Sequence, residues 1–180
     1  MPKIGIDISD FDSCKNIKTF NNMQKSFKEQ IDNYYNTILS EKILNLNEDN
    51  KIFLYKYLKE QPFKIEYYLS NPNFETRKNL TKFRTSDHSL QIEIGRYKKI
   101  PRNQRFCLSC NSKIDDEYHF FLHCHLNSAL RNELKNNLDL NLLTETDTIN
   151  LKTILNPSTP SDVKAVASFI KRSLELRGEG

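Results

Sequence analysis

One short segment, RFCLSCNSKIDDEYHFFLHCH, limits what this chain can fold into more than any other part of the sequence. Residues 105–125 hold three of the four cysteines and three of the four histidines of the 180-residue chain. Thiolates and imidazoles are the side chains that bind zinc, and a Cys-x-x-Cys turn directs two sulfurs to one ion. In a reducing compartment, such clustering favours a metal over a disulfide. The segment therefore predicts a metal site.

The spacing of these residues restricts the choice of ligands without settling it. The Cys-x-x-Cys half consists of Cys107 and Cys110, and the candidates for the other half are His119 and Cys124, with His123 and His125 as competitors. On an α-helix that begins near Asp116, positions 119 and 123 share a face, so spacing alone leaves Cys124 and His123 open. Four protein ligands would leave no coordination position for substrate, which predicts a structural Zn²⁺ site.

No motif in the sequence indicates catalysis, and we predict that the chain is not an enzyme. The run HFFLH lacks the glutamate of the HExxH metalloproteases, and no glycine-rich phosphate loop is present. Paired aspartates can hold catalytic metal ions. Asp115 and Asp116, however, lie inside the ligand loop, and with Glu117 we expect them to form a solvated acidic turn that favours a helix start.

Positive charge is concentrated in one strip that leads into the cysteines. Residues 77–105 contain nine Lys and Arg against two acidic residues, a local charge of +7, so the rest of the chain carries −3 of the total of +4. This distribution predicts a contact with a polyanion. Phe83, Tyr97 and Phe106 could stack on unpaired bases. The predicted nucleic-acid-binding residues are Arg77, Lys78, Lys82, Arg84, Arg96, Tyr97, Lys98, Lys99, Arg102 and Arg105.

Apolar periodicity predicts a mainly α fold, a helical domain with a small zinc knuckle or short β-hairpin inserted between helical portions. Expected helices cover about 20–46, 51–60 and 127–138, and a further helix runs through Arg84 with Asn73 or Ser70 as its cap. A final helix is capped by Thr159, with Pro160 in its first turn and Asp162 three residues after the cap. The alternation in SLQIEIG, residues 89–95, predicts a short strand. We expect a flexible leader over 1–18 and one α-rich domain over 19–180, divided into an annex (20–72) and a zinc-containing part (73–180).

The sequence carries no pattern that directs it to a membrane or to export. It lacks a signal-peptide core, and no window approaches eighteen consecutive apolar residues. We therefore expect an intracellular protein, cytoplasmic or nuclear, with no membrane contact.

The run FRTSDHSLQIEIGRYKKIPRNQRFCLSCNSKIDDEYHFFLHCHLNSALRNEL resembles a known family. It is similar to the C-terminal zinc-binding region that follows the polymerase in many non-LTR retrotransposon reverse transcriptases. The shared features are GRY and IPR before the cysteines, Cys-x-x-Cys, DDEYHF, and a Cys followed by a helix containing LR. The resemblance covers residues 50–177 and is most specific over 83–132.

The resemblance implies a ligand set and a partner. It assigns the metal ligands as Cys107, Cys110, His119 and Cys124, and it implies nucleic-acid binding, with RNA expected rather than DNA. The paired-aspartate polymerase and the endonuclease of the family are absent from this sequence, so polymerase activity is not implied. Two alternatives are a zinc-stabilised scaffold that binds a protein partner through the 20–46 helix, and a non-functional retroelement remnant.

Overall fold

The computed structural model describes residues 17–47, 50–59, 64–111, 113–138 and 146–178. The predicted mainly α fold is confirmed. The helices are α1 (Ile17–Leu44), α2 (Phe53–Leu58), α3 (Phe74–Arg84), α4 (Gln91–Tyr97), α5 (Ser128–Leu138), α6 (Asp147–Leu155) and α7 (Pro160–Leu176). A π-helical segment, His119–His123, precedes α5, and short 3-10 turns cover Tyr67–Ser70, Arg102–Gln104 and His125–Asn127. Residues 1–16 of the predicted leader lie outside the described residues.

The chain divides into two compact units. One contains Met1–Leu46 and Glu60–Lys64, and the other contains Asn47–Lys59 and Ile65–Gly180. This division differs from the predicted boundary after residue 72, because Leu54 and Leu58 of α2 belong to the core of the larger unit. In the smaller unit, α1 matches the long helix that the apolar stripe predicted.

Four phenylalanines form the centre of the larger unit. Phe83 from α3, Phe120 and Phe121 from the π-helical segment and Phe169 from α7 are all buried, and their ring centroids lie 4.8–5.7 Å apart in the contacting pairs. Stacked and edge-to-face aromatic pairs add about 0.5–1.5 kcal/mol each beyond the area that they bury. This cluster anchors the π-helical segment between α3 and α7. Phe83 is therefore a core residue. It cannot stack on a nucleic-acid base, which corrects the role that the sequence suggested for it.

Capping residues set the ends of the predicted helices. Asn73 accepts a hydrogen bond from the Thr76 amide at the start of α3. Thr159 and Asp162 form a complete capping box at the start of α7, where Pro160 occupies the first turn. The structure confirms both caps. They can be predicted from the sequence because the capping side chain and the amide that it satisfies lie within three residues of each other.

The strand predicted for residues 89–95 is wrong, because residues 91–97 form helix α4. The first two backbone amides of α4 donate hydrogen bonds to a segment that is distant in sequence. Asp115 accepts from the Gln91 amide through its carboxylate (3.0 Å) and from the Ile92 amide through its backbone carbonyl (3.1 Å). The first amides of a helix have no partner within the helix, so Asp115 stabilises the start of α4. The alternation of apolar and polar residues over 89–95 gives no sign of this distant partner.

In the described part of the chain, no helix is long and apolar enough to cross a membrane.

Candidate metal centre

Three predicted ligand atoms lie together in the larger unit. The Sγ atoms of Cys107 and Cys110 and a ring nitrogen of His119 all lie within 4.8 Å of one another. Cys107 and His119 are buried and Cys110 is half-buried. The Cys110 Sγ is 3.2 Å from His119 Nε2. Cysteines and a histidine gathered at one point can hold a metal ion.

Backbone contacts close the turn that contains Cys107 and Cys110, which is called the knuckle below. Phe106 and Ile114 form one antiparallel bridge, with no longer ladder among the described residues, and the Cys107 amide donates to the Lys113 carbonyl (2.9 Å). Asn111 takes a positive φ of 50° and closes the turn by donating to the Cys107 carbonyl (2.7 Å).

The π-helical segment brings position 124, rather than 123, towards the cluster. Its defining bond runs from the Cys124 amide to the His119 carbonyl (2.7 Å), five residues back. In an α-helix, position 123 would lie above position 119, but the wider turn places 124 there. The Cys124 Sγ lies 4.0 Å from the Cys107 Sγ. His123 instead pairs with Asp147 of α6, its Nε2 2.6 Å from the carboxylate.

Side chains from both flanks hold the π-helical segment in place. At its start, Asp116 accepts from the His119 amide (2.9 Å). At its end, Asn127 donates to the Phe120 carbonyl (3.0 Å), while buried Arg131 donates to the carbonyls of Phe121 (2.8 Å) and Cys124 (2.6 Å). These bonds satisfy carbonyls that would otherwise be unpaired at the end of a helical segment.

A buried ion pair closes the other side of the cluster. The Arg177 guanidinium donates to both carboxylate oxygens of Asp115 (2.8 and 3.1 Å), and both side chains are at most 3% exposed. Its other terminal nitrogen lies 3.8 Å from the Cys107 Sγ. Neither Arg177 nor Arg131 was predicted as part of the site. Arg131 lies on α5 and Arg177 directly follows α7, so both approach the cysteines only in the folded chain.

Burial shifts the titration of the ligand side chains in opposite directions. Burial raises the pKa of the Cys107 thiol to about 11, and the opposite effect of the Cys110 and Ser109 amides on this pKa is smaller. Burial lowers the pKa of His119 to about 4, so the imidazole is neutral near pH 7. A neutral imidazole is the form that coordinates a metal.

The prediction of a solvated acidic turn is wrong for two of its three residues. Asp115 is buried against Arg177, and Glu117 is buried where it accepts from the Ser86 hydroxyl (2.8 Å) and contacts His88 Nε2 (2.9 Å). Burial raises the pKa of Glu117, but the hydrogen bond and charge of His88 more than offset it and hold this pKa below its ordinary value. Both carboxylates face inward because basic partners from distant elements meet them there.

Two arginines of the basic strip bind other parts of the chain: Arg84 is internal, which corrects its prediction as a nucleic-acid contact, and Arg105 is half-buried. Arg84 is 1% exposed, bonds the Leu155 carbonyl and the Asn156 side chain, and pairs with Glu66 (3.0 Å). Arg105 donates to the carbonyls of Ile92 and Ile100, both at 2.9 Å.

Gly95 makes room for Arg105. A Cβ at that position would lie 2.6 Å from the Arg105 Cγ, so the arginine stem occupies the space that a larger residue would need.

The other basic residues of the strip lie nearer the surface. Lys82, Lys98 and Lys99 are exposed, and Tyr97 is 71% exposed. Arg77, Lys78, Arg96 and Arg102 are partly engaged: Arg77 donates to the Asn71 carbonyl, Lys78 pairs with Glu75, Arg96 with Glu93, and Arg102 with Asp116. The strip therefore divides into an internal part and an outward part.

Comparisons of the chain with protein-family models, with curated proteins and with solved structures found no significant match. The resemblance to the reverse-transcriptase region stays a prediction based on the residues quoted above.

Proposed function

We propose that the chain is a nucleic-acid-binding module whose larger unit is stabilised by one Zn²⁺ held by Cys107, Cys110, His119 and Cys124. The observation that carries the proposal is the close group of two cysteine sulfurs and a histidine nitrogen, with Cys124 beside it. RNA is the expected nucleic acid, on the basis of the resemblance. When bound, the ion would supply folding free energy and no catalysis, because four protein ligands fill a tetrahedral site.

Two of the separations between the donor atoms are close to those of a tetrahedral zinc site. With Zn–S bonds of about 2.3 Å and Zn–N bonds of about 2.0–2.1 Å, two sulfurs lie about 3.8 Å apart, and a sulfur and a nitrogen about 3.5 Å apart. The corresponding distances are 4.0 Å for Cys107 and Cys124, and 3.2 Å for Cys110 and His119. The Cys124 Sγ is not among the donor atoms that all lie within 4.8 Å of one another, so it would have to move by about 1 Å or more towards Cys110 or His119 to complete the site. His123 is excluded from our ligand set because Asp147 binds its Nε2.

The nucleic-acid surface that we propose is the outward part of the basic strip, which includes Lys82, the end of α4 and the segment between α4 and the knuckle. Lys98 and Lys99 supply charge for phosphates, and the exposed ring of Tyr97 can stack on an unpaired base. Phe106 and Leu108 are exposed on the knuckle itself. The internal bonds of Arg105 to the Ile92 and Ile100 carbonyls join these parts into one scaffold.

Titration of a fluorescent single-stranded RNA at several salt concentrations tests this surface. Each phosphate contact on a single strand contributes about −0.7 to the slope of log K against log salt. Replacing Lys98 and Lys99 together with Gln should therefore weaken binding and make the slope shallower by about 1.4. The matched control replaces Lys164 and Lys171, two exposed lysines of α7, with Gln, and removes the same charge elsewhere.

Equal losses in the two double variants would mean that only overall charge attracts the RNA and would contradict the proposed surface. Wild-type binding that does not change with salt would contradict phosphate recognition altogether. A duplex RNA and a single-stranded DNA of the same sequence, measured in parallel, test the expected preference for unpaired RNA.

A further inference from the structure

With a divalent ion bound to three thiolates, the charged groups buried around the cysteines form a balanced set. The two positive charges of Zn²⁺ and the three negative charges of Cys107, Cys110 and Cys124 leave one negative charge, with His119 neutral. Asp115 adds a second negative charge. Arg131 and Arg177, both buried beside this group, supply two positive charges.

The positions of the arginines match this balance. Arg177 reaches the Cys107 sulfur with one nitrogen and Asp115 with another. Arg131 donates to the backbone carbonyl of Cys124 (2.6 Å). Asp116, half-buried beside His119, has its own counter-charge in Arg102 at 3.9 Å. Without a cation and with neutral thiols, two buried arginines would face a single buried carboxylate, and burying an unpaired charge is costly.

We propose that Arg177 and Arg131 are positioning residues of the metal centre, which hold the Cys107 and Cys124 sulfurs in place and neutralise a site of three thiolates and one imidazole. This inference rests on the proposed zinc site. It adds that the site contains three thiolates and that its metal affinity depends on Arg177, at the end of α7. Arg177 stands just after α7, 70 residues from Cys107 in sequence, so the centre holds the end of that helix against the knuckle.

Metal affinity of the full chain, measured by competition with a chromophoric chelator, tests the role of Arg177. Loss of such an outer partner typically costs about 10- to 100-fold in metal affinity. We expect Arg177→Gln to lose zinc affinity by about that factor, and Arg177→Lys, which keeps the charge, to recover most of it. The control is Arg172→Gln, also on α7, where the arginine is exposed and pairs with Glu133. It should change the affinity by less than about threefold.

Equal zinc affinity in Arg177→Gln and Arg172→Gln would overturn the inference while leaving the zinc site itself intact. A wild-type chain that binds no zinc would overturn both the site and the inference, so the two failures are distinguishable. Cobalt substitution adds an independent count, since the visible spectrum of bound Co²⁺ depends on the number of thiolates. A spectrum of two thiolates instead of three would contradict the charge balance.

A measurement on the wild-type chain keeps the inference testable even if Arg177→Gln does not fold. Side-chain NMR of the zinc-loaded chain should show slow rotation of the Arg177 guanidinium, because Asp115 and Cys107 hold it, whereas the Arg172 guanidinium should rotate freely. Free rotation of Arg177 in the loaded chain would overturn the proposal.

Discussion

The knuckle region and the basic strip differ in how far their sequence determines their role. Both were identified from clustered side chains of one chemical kind. The structure gathers Cys107, Cys110 and His119 at one point, as the spacing predicts, but it buries Arg84 of the strip and binds half-buried Arg105 to backbone carbonyls. Thiols and imidazoles have few uses at such density, whereas arginine serves equally well on a surface or bound to buried carbonyls. Clustered charge is therefore weaker evidence of a binding surface than clustered metal ligands are of a metal site.

The largest expected effect is loss of the metal centre. Cys107→Ser removes a buried ligand and should destabilise the larger unit by several kcal/mol, lowering the melting temperature by about 10 °C or more. Thermal unfolding followed by circular dichroism measures this change. The control is Cys14→Ser, because Cys14 lies outside the described residues and no role is predicted for it. Identical melting of both variants would reduce the cluster to ordinary buried thiols and remove the contrast with the basic strip.

A smaller effect should separate the internal and outward parts of the basic strip. Arg84→Met leaves the Leu155 carbonyl and the Asn156 side chain without their buried donor, while Glu66 keeps Lys59 (2.8 Å) as a partner. This loss should cost about 1–3 kcal/mol of unfolding free energy. Lys82→Met, two residues away on the exposed side of α3, should change stability by less than about 0.5 kcal/mol.

Urea denaturation measures the stabilities, and RNA titration of the folded variants measures binding. We expect Lys82→Met to make the salt slope shallower by about 0.7 and Arg84→Met to leave it unchanged. A loss of RNA affinity in folded Arg84→Met, with unchanged stability, would restore Arg84 to the binding surface.

The smallest expected effect concerns the ligand that the sequence left open. His123→Gln removes an exposed pair with Asp147, which should cost at most about 1 kcal/mol, and the chain should keep one zinc. Zinc content by mass spectrometry under native conditions checks this prediction, with Cys124→Ser as the partner variant that should lose the metal. The reverse pattern would make His123 the fourth ligand.

Local signals in the sequence were sufficient to predict most of the helices and three residues of the metal-ligand cluster, which are Cys107, Cys110 and His119. Caps such as Asn73 and Thr159 act within one turn, and the apolar stripe of α1 repeats along the helix itself, so both are visible without a fold. Helix α6, which the sequence analysis did not predict, begins with a Thr146 cap inside a polar stretch and has too short an apolar run to stand out.

The remaining errors share one physical cause, which is a partner distant in sequence. Asp115 turns residues 91–97 into a helix from more than twenty residues away, and Arg177 buries Asp115 from 62 residues away. The choice between His123 and Cys124 depended on a π-helical turn, which has no recognised sequence signal and which Asn127 and Arg131 support through bonds to its carbonyls.

The short span of the ligand set has a consequence for the order of folding. All four proposed ligands lie within residues 107–124, so the loop that the metal closes is short, and the entropy lost on closing it is small. The aromatic contact between Phe121 and Phe169 and the ion pair of Arg177 with Asp115 each close a loop of about fifty residues or more. We therefore expect the knuckle to form first, when the chain emerges from the ribosome, and to serve as the nucleus onto which α7 docks after its own synthesis.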